Sequence, residues 1–160
     1  MGTYRVAQIC INGHVINDSA DEFSERNKKF CSYCGQPTIM NCPSCKESIR
    51  GFYYVSGVIS LSHIYSEPSF CHNCGKPYPW TESKLNAAQE LISEDERLSK
   101  EDKETLSLAL PDLVTDTPKT QLAATRFKKL ISKAVSATGE GLKQILVDIV
   151  SESAKKMLWP

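Results

Sequence analysis

The sequence predicts a small β-rich region built around bound metal, followed by an all-α region. Three observations lead to this fold class. All seven cysteines lie in the first half of the chain, at spacings typical of metal ligands. Short β-branched and aromatic runs lie between them. After residue 80 there is no further Cys or His, and apolar residues recur at helical spacing. We therefore expect two regions, 1–80 and 81–160.

The composition favours a cytoplasmic globular protein. Basic and acidic residues balance at 19 each, so net charge indicates no class of partner. Residues 81–117 are mainly acidic and residues 118–160 mainly basic, a distribution that allows pairing within the chain. The start has no secretory pattern, and no stretch has the roughly 18 apolar residues of a membrane span. An odd number of cysteines without an export signal favours metal thiolates over disulfides.

Four pairs of residues have the spacing of metal half-sites. Two of them share the pattern Phe-Cys-x-x-Cys-Gly, at 30–35 and 70–75. The Gly permits the positive φ that a tight turn around a metal often needs. The four pairs are Cys10/His14, Cys31/Cys34, Cys42/Cys45 and Cys71/Cys74. They fill two tetrahedral four-ligand sites and leave no Cys over, which predicts two structural zinc ions.

The half-sites can be combined in more than one way. A tandem arrangement joins the first pair with the second and the third with the fourth, so that each site ends in its own Phe-Cys-x-x-Cys-Gly knuckle. A cross-braced arrangement joins the first with the third and the second with the fourth. Cross-braced modules usually have a very short segment between the second and third half-sites, and residues 35–41 are longer than that. We favour the tandem arrangement.

The eighth ligand has more than one candidate. Asn12–Gly13 forms a turn able to bring Cys10 and His14 onto one ion, so we favour His14. The alternative is that Cys10 is a buried apolar residue and His14 an exposed one. His63 and His72 are weaker candidates, because His63 follows a predicted strand and His72 lies inside the Cys71–Cys74 turn.

These motifs resemble the double zinc ribbon. The ribbon part of the resemblance covers about residues 6–80, and the whole chain is similar to small bacterial proteins of an uncharacterised double-ribbon family with a helical tail. Such ribbons serve as adaptors, nucleic-acid binders and oligomerisation modules, so the resemblance implies structural zinc but no single function. His14 departs from the all-Cys pattern of these ribbons.

Short strands are expected between the ligands. Residues 4–9 alternate weakly and lead into Cys10. Residues 52–55 and 58–61 are β-branched and aromatic runs on either side of Ser56–Gly57, which predicts a hairpin.

About four helices are expected after residue 80. Thr81 is the predicted N-cap of the first, and Ser99, with Asp102 three positions later, begins the second, which ends at Pro111. The third, basic helix occupies 118–136. Gly139 and Gly141 separate it from a last helix over 141–158, and we expect these last two helices to pack as an antiparallel pair with their apolar stripes buried.

Three functions are compatible with these features. The favoured hypothesis is a non-enzymatic zinc-binding adaptor that meets a protein partner, or a second copy of itself, through its C-terminal helices. The alternative is a nucleic-acid binder that uses the basic helix 118–136, where Lys119, Arg126 and Lys133 recur every seven residues. An enzyme is not expected, since the sequence has no nucleophile–base set, phosphate-binding loop or open metal site.

Overall fold

A computed structural model describes residues 1–62 and 64–160 of the chain. The chain forms two compact units, Met1–Glu82 and Ser83–Pro160. Short strands lie in the first half and helices follow from residue 79. The predicted fold class, a small β-rich region with short hairpins followed by an all-α region, is confirmed.

Two small antiparallel sheets organise the first unit. One has two strands in the order β1-β5, and the other has three in the order β3-β2-β4. The strands are β1 (Thr3–Val6), β2 (Gln8–Cys10), β3 (Val15–Asn17), β4 (Thr38–Ile39) and β5 (Arg50–Tyr54). All three residues of β2 are buried, because β2 is the central strand of its sheet. Its C-terminal residue is Cys10, so the sheet holds this predicted ligand in a fixed place.

The predicted hairpin around Ser56–Gly57 is not formed. A turn is present, since the N–H of Val58 donates to the carbonyl of Val55 at 3.2 Å. The first arm contributes to β5, but β5 pairs with β1, with Tyr53 opposite Tyr4. In the part of the chain that the structure describes, residues 58–61 belong to no strand. Strand β5 therefore pairs with a strand that is distant in sequence and not with its neighbour in the chain.

The core of the first unit is small and partly made of predicted ligands. Cys42 and Cys71 lie in the same buried cluster as Ile9, Ile49 and Trp80. The indole ring of Trp80 stacks on Tyr78 at 4.7 Å between ring centroids, and its N–H donates to the carbonyl of Pro68 at 2.9 Å. A unit with so few large apolar side chains needs a further source of stability.

Five helices are found among the described residues, where about four were predicted. They are α1 (Pro79–Glu94), α2 (Lys100–Val114), α3 (Thr120–Ile131), α4 (Ser136–Leu146) and α5 (Glu152–Leu158). The predicted N-cap Ser99 is confirmed, because its hydroxyl accepts from the N–H of Asp102 at 3.1 Å. Among the residues that the structure describes, no helix is both long enough and apolar enough to cross a membrane.

Two predicted helix ends are wrong. The first helix begins at Pro79, and Thr81 does not cap it. The buried hydroxyl of Thr81 donates instead to the carbonyl of Ser69 at 2.8 Å. Helix α2 continues through Pro111 to Val114. Pro111 is exposed, so the carbonyl that loses its helical partner can bind water.

The predicted last helix, 141–158, is two helices. Gly139 and Gly141 do not interrupt the helix but lie inside α4. The break comes later, over residues 147–151. At its end the N–H of Ser151 donates to the carbonyl of Leu113 at 2.9 Å, and the hydroxyl of Ser151 accepts from the N–H of Ala154 at 3.2 Å. The predicted apolar stripe is buried at Leu142, Leu146, Ile149, Val150 and Ala154, on both sides of the break, and its other two members, Ile145 and Met157, are half-buried.

Helix α3 is the centre of packing in the second unit. It is shorter than the predicted 118–136 and packs against α2 and α5. Thr117 contributes to its start, since its hydroxyl accepts from the N–H of Lys119 at 3.2 Å. Phe127 is the large buried residue of this helix, at 2% exposure.

Candidate metal centres

The first half-site is the turn of the β2–β3 hairpin. The N–H of Cys10 donates to the carbonyl of His14 at 3.0 Å, and the N–H of Gly13 donates to the carbonyl of Cys10 at 2.8 Å. Gly13 has φ 93°, which favours glycine, and a Cβ at this position would lie 3.1 Å from Cβ of Trp80. Close packing on Trp80 therefore holds the turn that carries His14.

The other three half-sites share one backbone conformation. In each, the N–H of the first Cys donates to a carbonyl five residues later, at 2.8 Å or 2.9 Å. The residue after the second Cys then has positive φ: 71° at Gly35, 65° at Lys46 and 72° at Gly75. Cys42–Cys45 is thus a third knuckle, although it lacks the Gly that marks the other two. Sequence analysis missed this equivalence because a positive φ at Lys leaves no sequence signal.

One group of donor atoms joins the hairpin turn to the first knuckle. The Sγ of Cys10 lies 3.4 Å from Nδ1 of His14 and 3.7 Å from Sγ of Cys34. The Sγ of Cys31 lies 3.6 Å from the same nitrogen of His14. All four donor atoms lie within 4.8 Å of one another. Cys10 and Cys31 are buried, whereas His14 is exposed, so the group lies at the edge of the unit.

A second group joins the other two knuckles. The Sγ atoms of Cys42 and Cys74 are 3.8 Å apart, and those of Cys45 and Cys71 are 3.6 Å apart. These four sulfurs also lie within 4.8 Å of one another. Cys42 and Cys71 belong to the buried core, and Cys74 is exposed.

The spacing within both groups fits a tetrahedral metal ion. Metal–sulfur bonds of about 2.3 Å and metal–nitrogen bonds of about 2.0 Å place two sulfurs about 3.8 Å apart and a sulfur about 3.5 Å from a nitrogen. Three sulfur pairs lie 3.6–3.8 Å apart, and two sulfurs lie 3.4 Å and 3.6 Å from Nδ1 of His14, while every pair of donor atoms within a group lies within 4.8 Å. The cysteines form no disulfide. Each group can therefore hold a metal ion.

The grouping follows chain order. The first half-site meets the second and the third meets the fourth, as in the tandem arrangement, and the cross-braced arrangement is not formed. His72 is not part of either group, and its side chain lines a shallow cleft with Tyr4 and Arg50. The other alternative, His63, lies outside the described residues.

Backbone N–H groups favour the thiolate form at several of these cysteines. The N–H of Gln36 lowers the pKa of Cys34, and the N–H of Glu47 lowers that of Cys45. At Cys71 the N–H of Cys74 lowers the pKa to about 6. Burial acts in the opposite direction at Cys10, where it raises the pKa. N–H donors that already point at a sulfur stabilise its charged form, which is the form that binds metal.

Tyr78 and Trp80 are residues near the second group that the sequence analysis did not connect with it. Both are almost fully buried, at 1% and 0% exposure, in the core that contains Cys42 and Cys71. Burial raises the pKa of Tyr78, and the nearby charge of Cys71 raises it further. Nothing in the spacing of these two residues along the sequence indicates that they pack against the ligands.

The sequence of this chain matches a known protein family. A family described as an uncharacterized protein conserved in bacteria (DUF2321) matches residues 3–158. The chain belongs to this bacterial family. The match includes both donor groups and all five described helices, so the family comprises the strand region and the helical region together. Comparison with curated proteins and with solved structures found no match.

Proposed function

We propose that the protein is a non-enzymatic zinc-binding module for protein interaction. The observation that supports this is the convergence of four donor atoms within 4.8 Å in each group, with five of the contacts at 3.4–3.8 Å, close to tetrahedral spacing. One site consists of Cys10, His14, Cys31 and Cys34, and the other of Cys42, Cys45, Cys71 and Cys74.

Zinc is the metal that best suits these donors. Thiolate and imidazole ligands in tetrahedral geometry are typical of structural zinc sites. Iron–sulfur clusters also use four thiolates, but a single ion fits sulfurs that lie within 4.8 Å of one another. We place the protein in the cytoplasm, where a reducing environment keeps the thiols free for the metal.

A structural rather than catalytic role follows from the number of protein ligands. Four protein donors fill a tetrahedral ion and leave no position for water or substrate. Such an ion contributes folding energy, on the order of 10 kcal/mol per site. The first unit has a small apolar core, so zinc supplies the stability that hydrophobic burial cannot.

The helical region supplies the interaction surface of this proposal. Leu108 on α2 is 78% exposed and Leu122 on α3 is 50% exposed. Both leucines line one cleft, together with the charged side chains of Asp112, Lys119 and Arg126. Exposed aliphatic side chains with charged groups around them are typical of protein-binding sites.

The nucleic-acid alternative has less support than the basic pattern suggested. Lys133, the third member of the seven-residue series, lies beyond the end of α3 and forms an ion pair with Asp102 at 3.2 Å. The remaining two, Lys119 and Arg126, line the same cleft as the exposed Leu122. We therefore keep the protein-interaction role as the single proposal.

The metal content of the purified protein tests the zinc part of the proposal. Elemental analysis of protein from cells grown with several trace metals should find two zinc ions per chain. Removal of zinc by a chelator should unfold the first unit, with loss of the near-UV signal of Tyr78 and Trp80. One zinc or none in protein with intact thiols would contradict the proposal.

The interaction part is tested separately. The wild-type protein and the variant Leu108→Glu, each shown to contain two zinc ions, are compared for association with another protein or with themselves. Association that is lost in the variant supports the proposal. Equal behaviour of the two proteins, with no association by either, would show that this surface has no such role.

A further inference from the structure

Helices α2 and α3 present two matched rows of side chains on one side. Each row has the spacing i, i+3, i+4, i+7, which places its members along one face of a helix. The two rows line a single cleft of about 580 Å³. The row on α2 is Thr105, Leu108, Ala109 and Asp112, and the row on α3 is Lys119, Leu122, Ala123 and Arg126.

Small residues form the floor of this cleft and leucines form its walls. Ala109 and Ala123 are 7% and 5% exposed, so they lie at the contact between the two helices. Leu108 and Leu122 extend outward and are largely exposed. A helix that packs over the two alanines would cover both leucines, as ridges of one helix pair fill the grooves of another.

The two helices are antiparallel. At one end, Nζ of Lys133, just after α3, lies 3.2 Å from the carboxylate of Asp102 at the start of α2. At the other end, the hydroxyl of Thr120 donates to the carbonyl of Thr115 at 2.6 Å. Asp112 and Lys119 are therefore at one end of the cleft, and Thr105 and Arg126 are at the other.

We propose that this cleft is occupied by the α2–α3 pair of a second copy of the chain. A two-fold axis parallel to the helices places α2 of each copy against α3 of the other. Asp112 then faces Lys119 of the partner subunit, and Leu108 faces Leu122 of the partner subunit. The result is an up-and-down four-helix bundle, in which neighbouring helices are antiparallel.

The charges on the cleft are the reason to choose a second copy over another protein. The row on α2 ends in an acid and the row on α3 begins with a base, so the surface is complementary to itself under this rotation. In the part of the chain that the structure describes, Asp112, Lys119 and Arg126 form no ion pair within their own chain. These charges are therefore available to a partner subunit.

This inference rests on the proposed role of the helical region as an interaction surface, and charge reversal tests it. Asp112→Lys would face Lys119 of the partner subunit, and Lys119→Asp would face Asp112 of the partner subunit. Both substitutions suit their own helix, since a base is favourable near the C-terminus of α2 and an acid near the N-terminus of α3. Loss of association would therefore not be a consequence of helix damage.

Sedimentation equilibrium of the zinc-loaded protein over a range of concentrations is the measurement. We expect a dimer for the wild type and a Kd at least about tenfold weaker for each single variant, since each reversal changes two contacts in a symmetric dimer. An equimolar mixture of the two variants should recover the wild-type affinity, because each then meets an opposite charge. Lys156→Asp, a charge reversal on the exposed side of α5, should leave dimerisation unchanged.

Outcomes in which no second copy occupies the cleft overturn the inference. A wild-type protein that is monomeric at all concentrations shows that no second copy occupies the cleft. A dimer that neither variant weakens, or a mixture that does not recover, shows that the copies meet elsewhere. A monomer that contains two zinc ions and binds a different protein through Leu108 overturns the dimer while the proposed function stands. A dimer without zinc overturns the zinc part of that function alone.

Discussion

The carboxylate of Asp95 accepts a hydrogen bond of 2.9 Å from the backbone N–H of Val135, the residue that precedes α4. Its other oxygen accepts from the N–H groups of Arg97 and Leu98 at 2.9 Å and 3.0 Å. Val135 has no side-chain cap of its own, so a carboxylate from a distant loop caps this helix. A hydrogen bond with Thr138 and these N–H donors lower the pKa of Asp95 to about 2.

We predict that Asp95→Asn destabilises the protein near neutral pH, because the amide is uncharged and keeps only one acceptor oxygen. The folded pKa lies below the unfolded value of about 3.9, so the stabilisation is complete above that value and is lost as the pH falls towards 2. Urea unfolding of both proteins between pH 6 and pH 2 measures this difference, and zinc release at low pH affects both alike.

Glu94→Gln is the matched control, since it neutralises an exposed carboxylate one position away. It should change the free energy of unfolding little at any pH. A difference between wild type and Asp95→Asn that stays constant down to pH 2 would contradict the proposed charge interaction.

Cys71→Ser should release one of the two zinc ions and unfold the first unit more than the second. Every donor atom in the two groups belongs to residues before 75, so the helices after residue 82 contain no ligand among the described residues. Zinc analysis with near-UV and far-UV circular dichroism separates the two effects. His72→Ala, within the same knuckle, should keep both ions because His72 belongs to neither group. Loss of the entire helical signal in Cys71→Ser would argue against separate units.

His14 is predicted to bind the first ion through Nδ1, the nitrogen that lies 3.4 Å from Sγ of Cys10 and 3.6 Å from Sγ of Cys31. His14→Ala should therefore lose this ion, whereas His14→Cys should retain it with a fourth thiolate. Substitution with Co²⁺ gives a direct measurement, since the sulfur-to-cobalt absorption should be stronger in His14→Cys than in the wild type. Full zinc content in His14→Ala would show that another group supplies the fourth ligand.

The four half-sites were predictable because their determinants are local. Two cysteines separated by two residues converge on one point whatever the rest of the chain does, and Asn12–Gly13 does the same for Cys10 and His14. The apolar stripes of the helices were predictable for a similar reason, since helical periodicity lies within one segment.

The features that were not predicted depend on contacts between distant residues. Strand β5 pairs with β1, some fifty residues away, and the local hairpin is not formed. The predicted helix 141–158 is interrupted over residues 147–151, where the N–H of Ser151 donates to the carbonyl of Leu113, a contact that no pattern around 141–158 reveals. Thr81 is at a position where the sequence predicts an N-cap, but its hydroxyl donates to the carbonyl of Ser69.

Lys46 and Gly75 occupy the same position in two knuckles, at φ 65° and 72°. The left-handed conformation costs a residue with a side chain about 1–2 kcal/mol, and Gly avoids this cost. Gly75→Ala should therefore lower the free energy of unfolding by about 1 kcal/mol, although no atom lies within 4 Å of the new Cβ. Lys46→Gly should not lower it. Urea unfolding of the zinc-loaded variants measures both, and a loss of stability in Lys46→Gly equal to that in Gly75→Ala would contradict this explanation.

Gly139 and Gly141 lie inside α4, where glycine costs about 1 kcal/mol relative to alanine. A Cβ on Gly139 would have only Ile131 near it, at 3.9 Å, so Gly139→Ala should raise the free energy of unfolding by about 1 kcal/mol. A Cβ on Gly141 would lie 2.7 Å from Cδ2 of Leu91, which must then move. The gain from helix propensity should be offset there.

Thermal unfolding of both variants, followed by far-UV circular dichroism, distinguishes the two positions. Gly139→Ala should unfold at a higher temperature than the wild type, and Gly141→Ala should not. If the contact with Leu91 is the cause, Gly141→Ala should become stabilising when it is introduced into a Leu91→Ala background, since the truncated side chain leaves room for the new methyl group. Equal stabilisation by both alanines in the wild-type background would contradict this explanation. It would show that Leu91 moves with no loss of stability and that helix propensity alone determines the unfolding temperature.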